Sequence, residues 1–93
     1  MMNLIDIAQR NSTALAALYT ELTRRENAFL LEHVERRAPD VLGDVFLEVY
    51  RKIRADEVHS IEEIWPLAHT IARRLVQIEI EHQPVGRKLP LAA

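Results

Sequence analysis

DVLGDVFLEVYRKI, residues 40–53, places apolar side chains at Val41, Leu42, Val45, Phe46, Val49, Tyr50 and Ile53. Steps of one, three and four gather these onto one wide stripe when the segment is helical. The stripe accounts for packing. It leaves Asp40, Gly43, Asp44, Leu47 and Glu48 pointing elsewhere, and what that second face is for becomes the functional question.

Working outward, the same periodicity recurs on both sides. Upstream, Leu15, Leu18, Tyr19, Leu22, Phe29, Leu30 and Val34 keep a helical period, broken by a polar gap at Arg25 and Glu26. A helix from Ser12 to Arg37 is predicted, capped by Asn11 or Ser12 accepting from an otherwise unpaired amide. Pro39 cannot donate and disfavours a helical Ala38, so it ends that helix, and the next runs from Asp40 to Ala55. Ser60 followed by Glu63 forms a capping-box pattern that opens a turn at 61–65. Pro66 suits a helix start, giving a third main helix from Pro66 to His82 with Leu67, Ala68, Ile71, Leu75 and Ile78 facing inward. Leu4, Ile5 and Ile7 suggest a short extra helical turn. Pro84, Gly86 and Pro90 interrupt the end of the chain.

The fold class expected is all-α: a compact bundle of three helices, or four with the short N-terminal one. The division expected is residues 1–11 as an extension or short helix, 12–83 as the helical domain and 84–93 as a mobile tail.

With 93 residues, 48% of them apolar, the chain suits one small ordered domain. It has no cysteine, hence no disulfide and no thiolate metal site. No apolar run approaches the roughly 20 residues that cross a bilayer. The first residues, MMNLIDIAQR, lack the pattern of a signal peptide, so a soluble cytoplasmic protein is expected, with no membrane partner. Net charge is −2, against the usual footprint of a nucleic-acid binder. The charge is uneven, however. Residues 40–63 carry seven acids and three bases, a net of −4, whereas four bases and two acids follow from Ile64 on, a net of +2.

Catalytic patterns are absent. No serine or threonine sits in a G-x-S-x-G setting, and there is no glycine-rich phosphate loop. Glu79 and His82 have the Glu-x-x-His spacing of di-iron carboxylate proteins, but those use it twice. His69 and Arg73, four apart on one helix, point the same way and could hold an anion. Neither feature has convergent partners, so no enzyme, metal or other cofactor is expected. Trp65 reads as an anchor closing one end of the bundle, or as a platform on which an unpaired base stacks. Arg73 and Arg74 form a basic pair able to meet phosphate.

Taken together, DVLGDVFLEVYRKI and, some twenty residues on, PLAHTIARRLV resemble region 2 of bacterial RNA polymerase sigma factors of the extracytoplasmic-function (ECF) type. That family often reads D-L-x-Q-[DE]-x-F-L-x-[VA]-[WY] in its second conserved helix. Asp40, Val41, Asp44, Phe46, Leu47, Val49 and Tyr50 fit that pattern. Leu67, Ile71, Ala72, Arg73 and Arg74 can be laid on the family's W-L-x-x-I-A-R-N, and Leu18-Tyr19 looks like the start of its first helix. The resemblance spans Ala14 to His82.

The resemblance implies a three-helix domain whose second helix docks on the clamp helices of the largest subunit of core RNA polymerase. Asp40, Asp44, Leu47 and Glu48 would face the polymerase, while Arg73 and Arg74 would lie on or near the DNA side, where Trp65, read as a base-stacking platform, is the third candidate DNA contact. The chain departs from the family in four places. Gly43 replaces a glutamine and Glu48 an arginine. Trp65 falls two residues early, with Leu67 in the family tryptophan's place. QIEIEHQ replaces a basic helix end, and Glu79 and Glu81 there repel phosphate. The length leaves no room for region 4, the second DNA-reading domain, which we expect this chain to lack.

Three readings follow. The chain acts in transcription initiation through core polymerase, with weak or assisted promoter contact. Alternatively it is a sigma mimic that binds polymerase or an anti-sigma factor without touching DNA. In the third reading it is a self-associating helical bundle, since so short a chain has little core of its own.

Overall fold

In a computed structural model, which describes residues 2–82, the chain folds as an all-α bundle without strands among those residues. Four helices follow in order: α1 (Leu4–Ala8), α2 (Ser12–Val34), α3 (Ala38–Arg54) and α4 (Ile64–Glu81). Three-residue 3-10 turns, Glu35–Arg37 and Ile61–Glu63, precede α3 and α4. The expected mobile tail at 84–93 and the boundary at residue 83 lie outside the described residues.

Local chemistry sets the boundaries. Asn3 caps α1, its Oδ1 accepting from the Asp6 amide at 2.8 Å, and Asn11 caps α2 by accepting from the Ala14 amide at 3.0 Å. Between them Arg10 takes φ 65°, which turns the chain while the Arg10 and Asn11 amides donate back to the Ile7 and Asp6 carbonyls. Glu35, at φ 47° and ψ −111°, stops α2 three residues before the expected end. Such a backbone costs a non-glycine residue on the order of 1–3 kcal/mol, and here it lies between the buried Val34 and Ala38. The break falls at Glu35, not at Pro39. Pro39 sits in the first turn of α3, where its missing N–H would have been unpaired anyway, so that helix starts at Ala38 and not Asp40.

The second link shows a similar shift. Asp56 takes the left-handed conformation at φ 62° and closes α3, its amide donating to the Ile53 carbonyl. Ser60 stands extended before the 3-10 turn, but its hydroxyl makes no capping bond. Glu63 supplies half of the expected box one residue early: its Oε1 accepts from the His59 amide at 3.0 Å. Pro66 is the third residue of α4, again where no intrahelical donor is needed.

α3 runs antiparallel to α2, with Tyr19 meeting Phe46, and α4 runs back alongside α2, with Arg25 beside Trp65 and Phe29 beside His69. The core is built from Leu18, Leu22 and Leu30 of α2, Val41, Leu42, Val45, Val49 and Ile53 of α3, and Ile64, Ala68, Ile71, Ala72 and Val76 of α4. Ile7 is fully buried, so the N-terminal segment is a short helix that joins the core rather than an appended extension. On α4 the buried face is turned from the expected one. Ala72 and Val76 are buried, Leu67 and Leu75 only partly, and Ile78 is 43% exposed. The small side chains of Ala68 and Ala72 lie on the inward line, and the large ones flank it.

Gly43 occupies the interior of α3 with open space where a Cβ would stand. It is not required by packing, and glycine there loses backbone entropy that alanine would not. Gly43→Ala should therefore stabilise the domain by about 0.5–1 kcal/mol, read as a higher denaturant midpoint with an unchanged slope.

Candidate functional site

The outer face of α3 is a stripe at Asp40, Asp44, Leu47, Arg51 and Arg54, opposite the buried Val45 and Val49. These residues are all exposed, Leu47 to 44%. Two of the four residues expected to face a protein partner are engaged within the chain. Asp40 accepts from Arg37 Nη1 at 2.6 Å, and Glu48 pairs with Arg74 of α4. Asp44 has no ion-pair partner among the described residues. Beside Leu47 lies a hollow of about 170 Å³ lined by Arg10, Leu15, Phe46, Leu47 and Tyr50. Its aromatic wall is ordered by an edge-on contact of Tyr19 with Phe46, centroids 5.6 Å apart, and by the near-parallel rings of Phe46 and Tyr50.

The residues expected at a DNA face lie on the α4 side and are partly occupied too. Trp65 is half-buried, with the Arg25 guanidinium 4.3 Å from the ring centroid. That cation covers a face on which a base would stack. Arg25 is itself held by Glu21, Nε to Oε2 2.7 Å, and Arg24 pairs with the same carboxylate. Hydrogen bonds from Arg24 first and Arg25 second hold the Glu21 carboxyl below its ordinary value. Arg73 is exposed and lines a broad open groove of about 640 Å³ between α2 and α4, with Phe29, His33, Thr70, Arg74 and Gln77. Arg74 shares this groove, but its charge is spent on Glu48.

The two expected faces are thus stitched together. Glu48 and Arg74, assigned to opposite surfaces, form one ion pair across α3 and α4. Arg37 does the same at the other end, joining Asp40 to Glu79 of α4, Nε to Oε2 2.8 Å. The Glu79 hydrogen bond is the main reason the Arg37 guanidinium titrates above its ordinary value. Glu79 is therefore engaged by a cation, while His82 Nδ1 donates to the Ile78 carbonyl at 2.8 Å. Among the described residues no group of three histidine, aspartate or glutamate side chains could hold a metal.

The residue that pattern reading missed is Glu26. It occupies a core-facing position of α2, on the line of Leu18, Leu22, Leu30 and Val34, and is only 4% exposed. His69 of α4 reaches it, Nδ1 to Oε1 2.9 Å, and no buried side-chain polar atom is left unpaired among the described residues. Phe29 braces the His69 ring edge-on at 5.0 Å. The signal was present as the polar gap in the α2 stripe. A gap at a core-facing position demands a polar partner from a neighbouring helix. His69 is consequently turned toward Glu26 rather than set beside Arg73 as an anion clamp.

Removing the imidazole with His69→Ala should cost about 1–3 kcal/mol, because it leaves a buried carboxylate without a donor. Glu26→Gln should cost less, since its amide oxygen still accepts from Nδ1. Urea titration of both variants reads the difference, and equal losses would mean that the contact acts through packing alone.

Compared with known proteins, the chain matches no protein-family model, no curated protein and no solved structure.

Proposed function

We propose that this domain acts in transcription by docking on core RNA polymerase in the manner of a sigma-factor region 2, with the outer face of α3 as the docking surface. The observation that carries the reading is the pair Asp44 and Leu47. One is a carboxylate with no ion-pair partner among the described residues and the other an exposed leucine, a turn apart on a helix whose opposite face is wholly used by the core. A charge beside an apolar anchor suits a partner helix rich in arginine, such as the polymerase clamp helices. The charge orients the encounter and the leucine supplies contact area. The motif resemblance names the partner, and the exposed stripe is consistent with it. The domain is not an enzyme in this reading and needs no cofactor.

Promoter DNA is a secondary contact. Arg73 is the exposed base on the groove side, while Arg74 is neutralised by Glu48 and Trp65 is covered by Arg25. This favours, as a second reading, a sigma mimic that binds polymerase or an anti-sigma factor and leaves DNA to others.

Binding to purified core polymerase, measured at micromolar concentration and in competition with a housekeeping sigma factor, tests the proposal. Asp44→Arg should weaken binding by about tenfold or more, since it sets like charges together. No binding, or binding indifferent to Asp44→Arg and Leu47→Asp, would reject it. Single-stranded promoter DNA separates the two readings. Salt-sensitive binding lost in Arg73→Ala indicates direct promoter contact, and none at low salt indicates the mimic.

A further inference from the structure

The α3 stripe has a second property, independent of the polymerase reading. Its residues, Asp40, Asp44, Leu47, Arg51 and Arg54, are spaced by four, three, four and three. That is the spacing of a seam on which two helices pack side by side. Along the seam, acids occupy the N-terminal half, a leucine the centre and arginines the C-terminal half. All five are exposed.

Such a stripe is complementary to itself when reversed. Two copies laid antiparallel about a two-fold axis through Leu47 set Asp44 of each against Arg51 of the other and leucine against leucine. Asp40, held by Arg37, and Arg54, lying over Tyr50, fall at the ends of the seam and add little to it. A parallel arrangement would instead place acid on acid and arginine on arginine. The helix macrodipole accounts for Asp40 in the first turn and Arg54 in the last, but its influence fades within a turn of each end. It does not account for Asp44, in the second turn, or for an exposed leucine between the charges. It also does not account for the apolar hollow of Arg10, Leu15, Phe46 and Tyr50 at Leu47's side, which the same packing would cover. On the other flank Glu48 is held away by Arg74, leaving the seam without a misplaced acid.

We infer that the outer face of α3 is a homodimer interface, an isologous antiparallel pairing of two copies of this chain centred on Leu47. A seam of five side chains buries less than the roughly 1,200 Å² of a standard stable interface, so the dimer is weak, with a dissociation constant on the order of 100 μM. A dimer of this kind hides Asp44 and Leu47, and therefore excludes any other partner that uses them.

Sedimentation velocity of the purified chain alone, over a concentration series at low salt, tests the inference and leaves the polymerase reading untouched. Dimer should grow in with concentration and weaken with added salt. Asp44→Arg and Arg51→Asp, both exposed substitutions, should each weaken self-association by about tenfold, because each places two like-charged pairs across the axis. Mixed together, the two variants should associate again. The reversed residue of each then faces an opposite charge in the other, and only an antiparallel 44-to-51 pairing predicts this rescue. Leu47→Glu, which sets two carboxylates on the axis, should abolish dimer, with circular dichroism confirming that the helices persist. Three results would overturn the inference. They are a wild-type monomer up to about 1 mM, ten times the expected constant, single variants that associate as wild type does, or no rescue on mixing.

Discussion

Glu26 sets a directional constraint on this fold, because a carboxylate at a core-facing position of α2 needs a donor from a neighbouring helix. Isolated, an ionised carboxylate in apolar surroundings is prohibitively costly, and an apolar neighbour does nothing for it. His69 meets it from α4 at 2.9 Å. The bond links the two helices that run parallel with no direct connection between them. Leucines would allow α4 to slide or rotate against α2 at small cost, since apolar contact is non-directional. A single hydrogen bond at one height and one angle does not. Phe29 then meets the imidazole edge-on, and Arg25 closes over Trp65 one turn away. The same line of contacts defines the α2–α4 groove in which Arg73 stands.

The charged pairs across α3 and α4 do a related task in a wetter setting. Arg37 gathers Asp40 and Glu79 at one end of the interface, and Glu48 meets Arg74 further along. Exposed pairs contribute little individually, about 0–1 kcal/mol, so their importance here is less for stability than for what remains on the surface. They withdraw Asp40, Glu48 and Arg74 from the supply of free charge. What stays available on α3 is Asp44, Leu47 and Arg51, with Arg54 lying over the Tyr50 ring, a shorter and more dipolar surface than a simple acidic face.

Much of the architecture was legible in the sequence because periodicity reports burial directly. Val41, Leu42, Val45, Val49 and Ile53 are buried as their spacing demands, and Asn11 caps α2 as its side chain allows. The misreadings have specific causes. Pro39 reads as a stop in the sequence, but proline fits the first turn of a helix equally well, and the actual break is the backbone of Glu35, which no residue type announces. On α4 the spacing predicts an inward face of Leu67, Ala68, Ile71, Leu75 and Ile78, which is only partly the buried one. Ala68 and Ile71 are buried as expected, but Ala72 and Val76 complete the face in place of Leu67 and Leu75, and Ile78 is left outside. The candidate surfaces were legible one helix at a time. Their engagement with each other was not, since Glu48 and Arg74 are 26 residues apart and nothing in either local pattern points to the other.

Glu26 illustrates why that limit is physical. Within α2, a glutamate beside an arginine looks like a solvated interruption, and its neighbours Glu21, Arg24 and Arg25 do form an exposed charged cluster. Only the line of Leu18, Leu22, Leu30 and Val34 places position 26 inside, and only the packing of α4 decides whether a donor arrives there. The same reasoning applies in reverse to Leu47. Its position on the outer stripe follows from helical geometry, but exposure of a single leucine is ordinary. It acquires meaning from what surrounds it. A carboxylate with no ion-pair partner among the described residues precedes it, arginines follow it and an apolar hollow lies at its side. Those features underlie both proposals for this face of α3, a polymerase contact and a self-pairing seam.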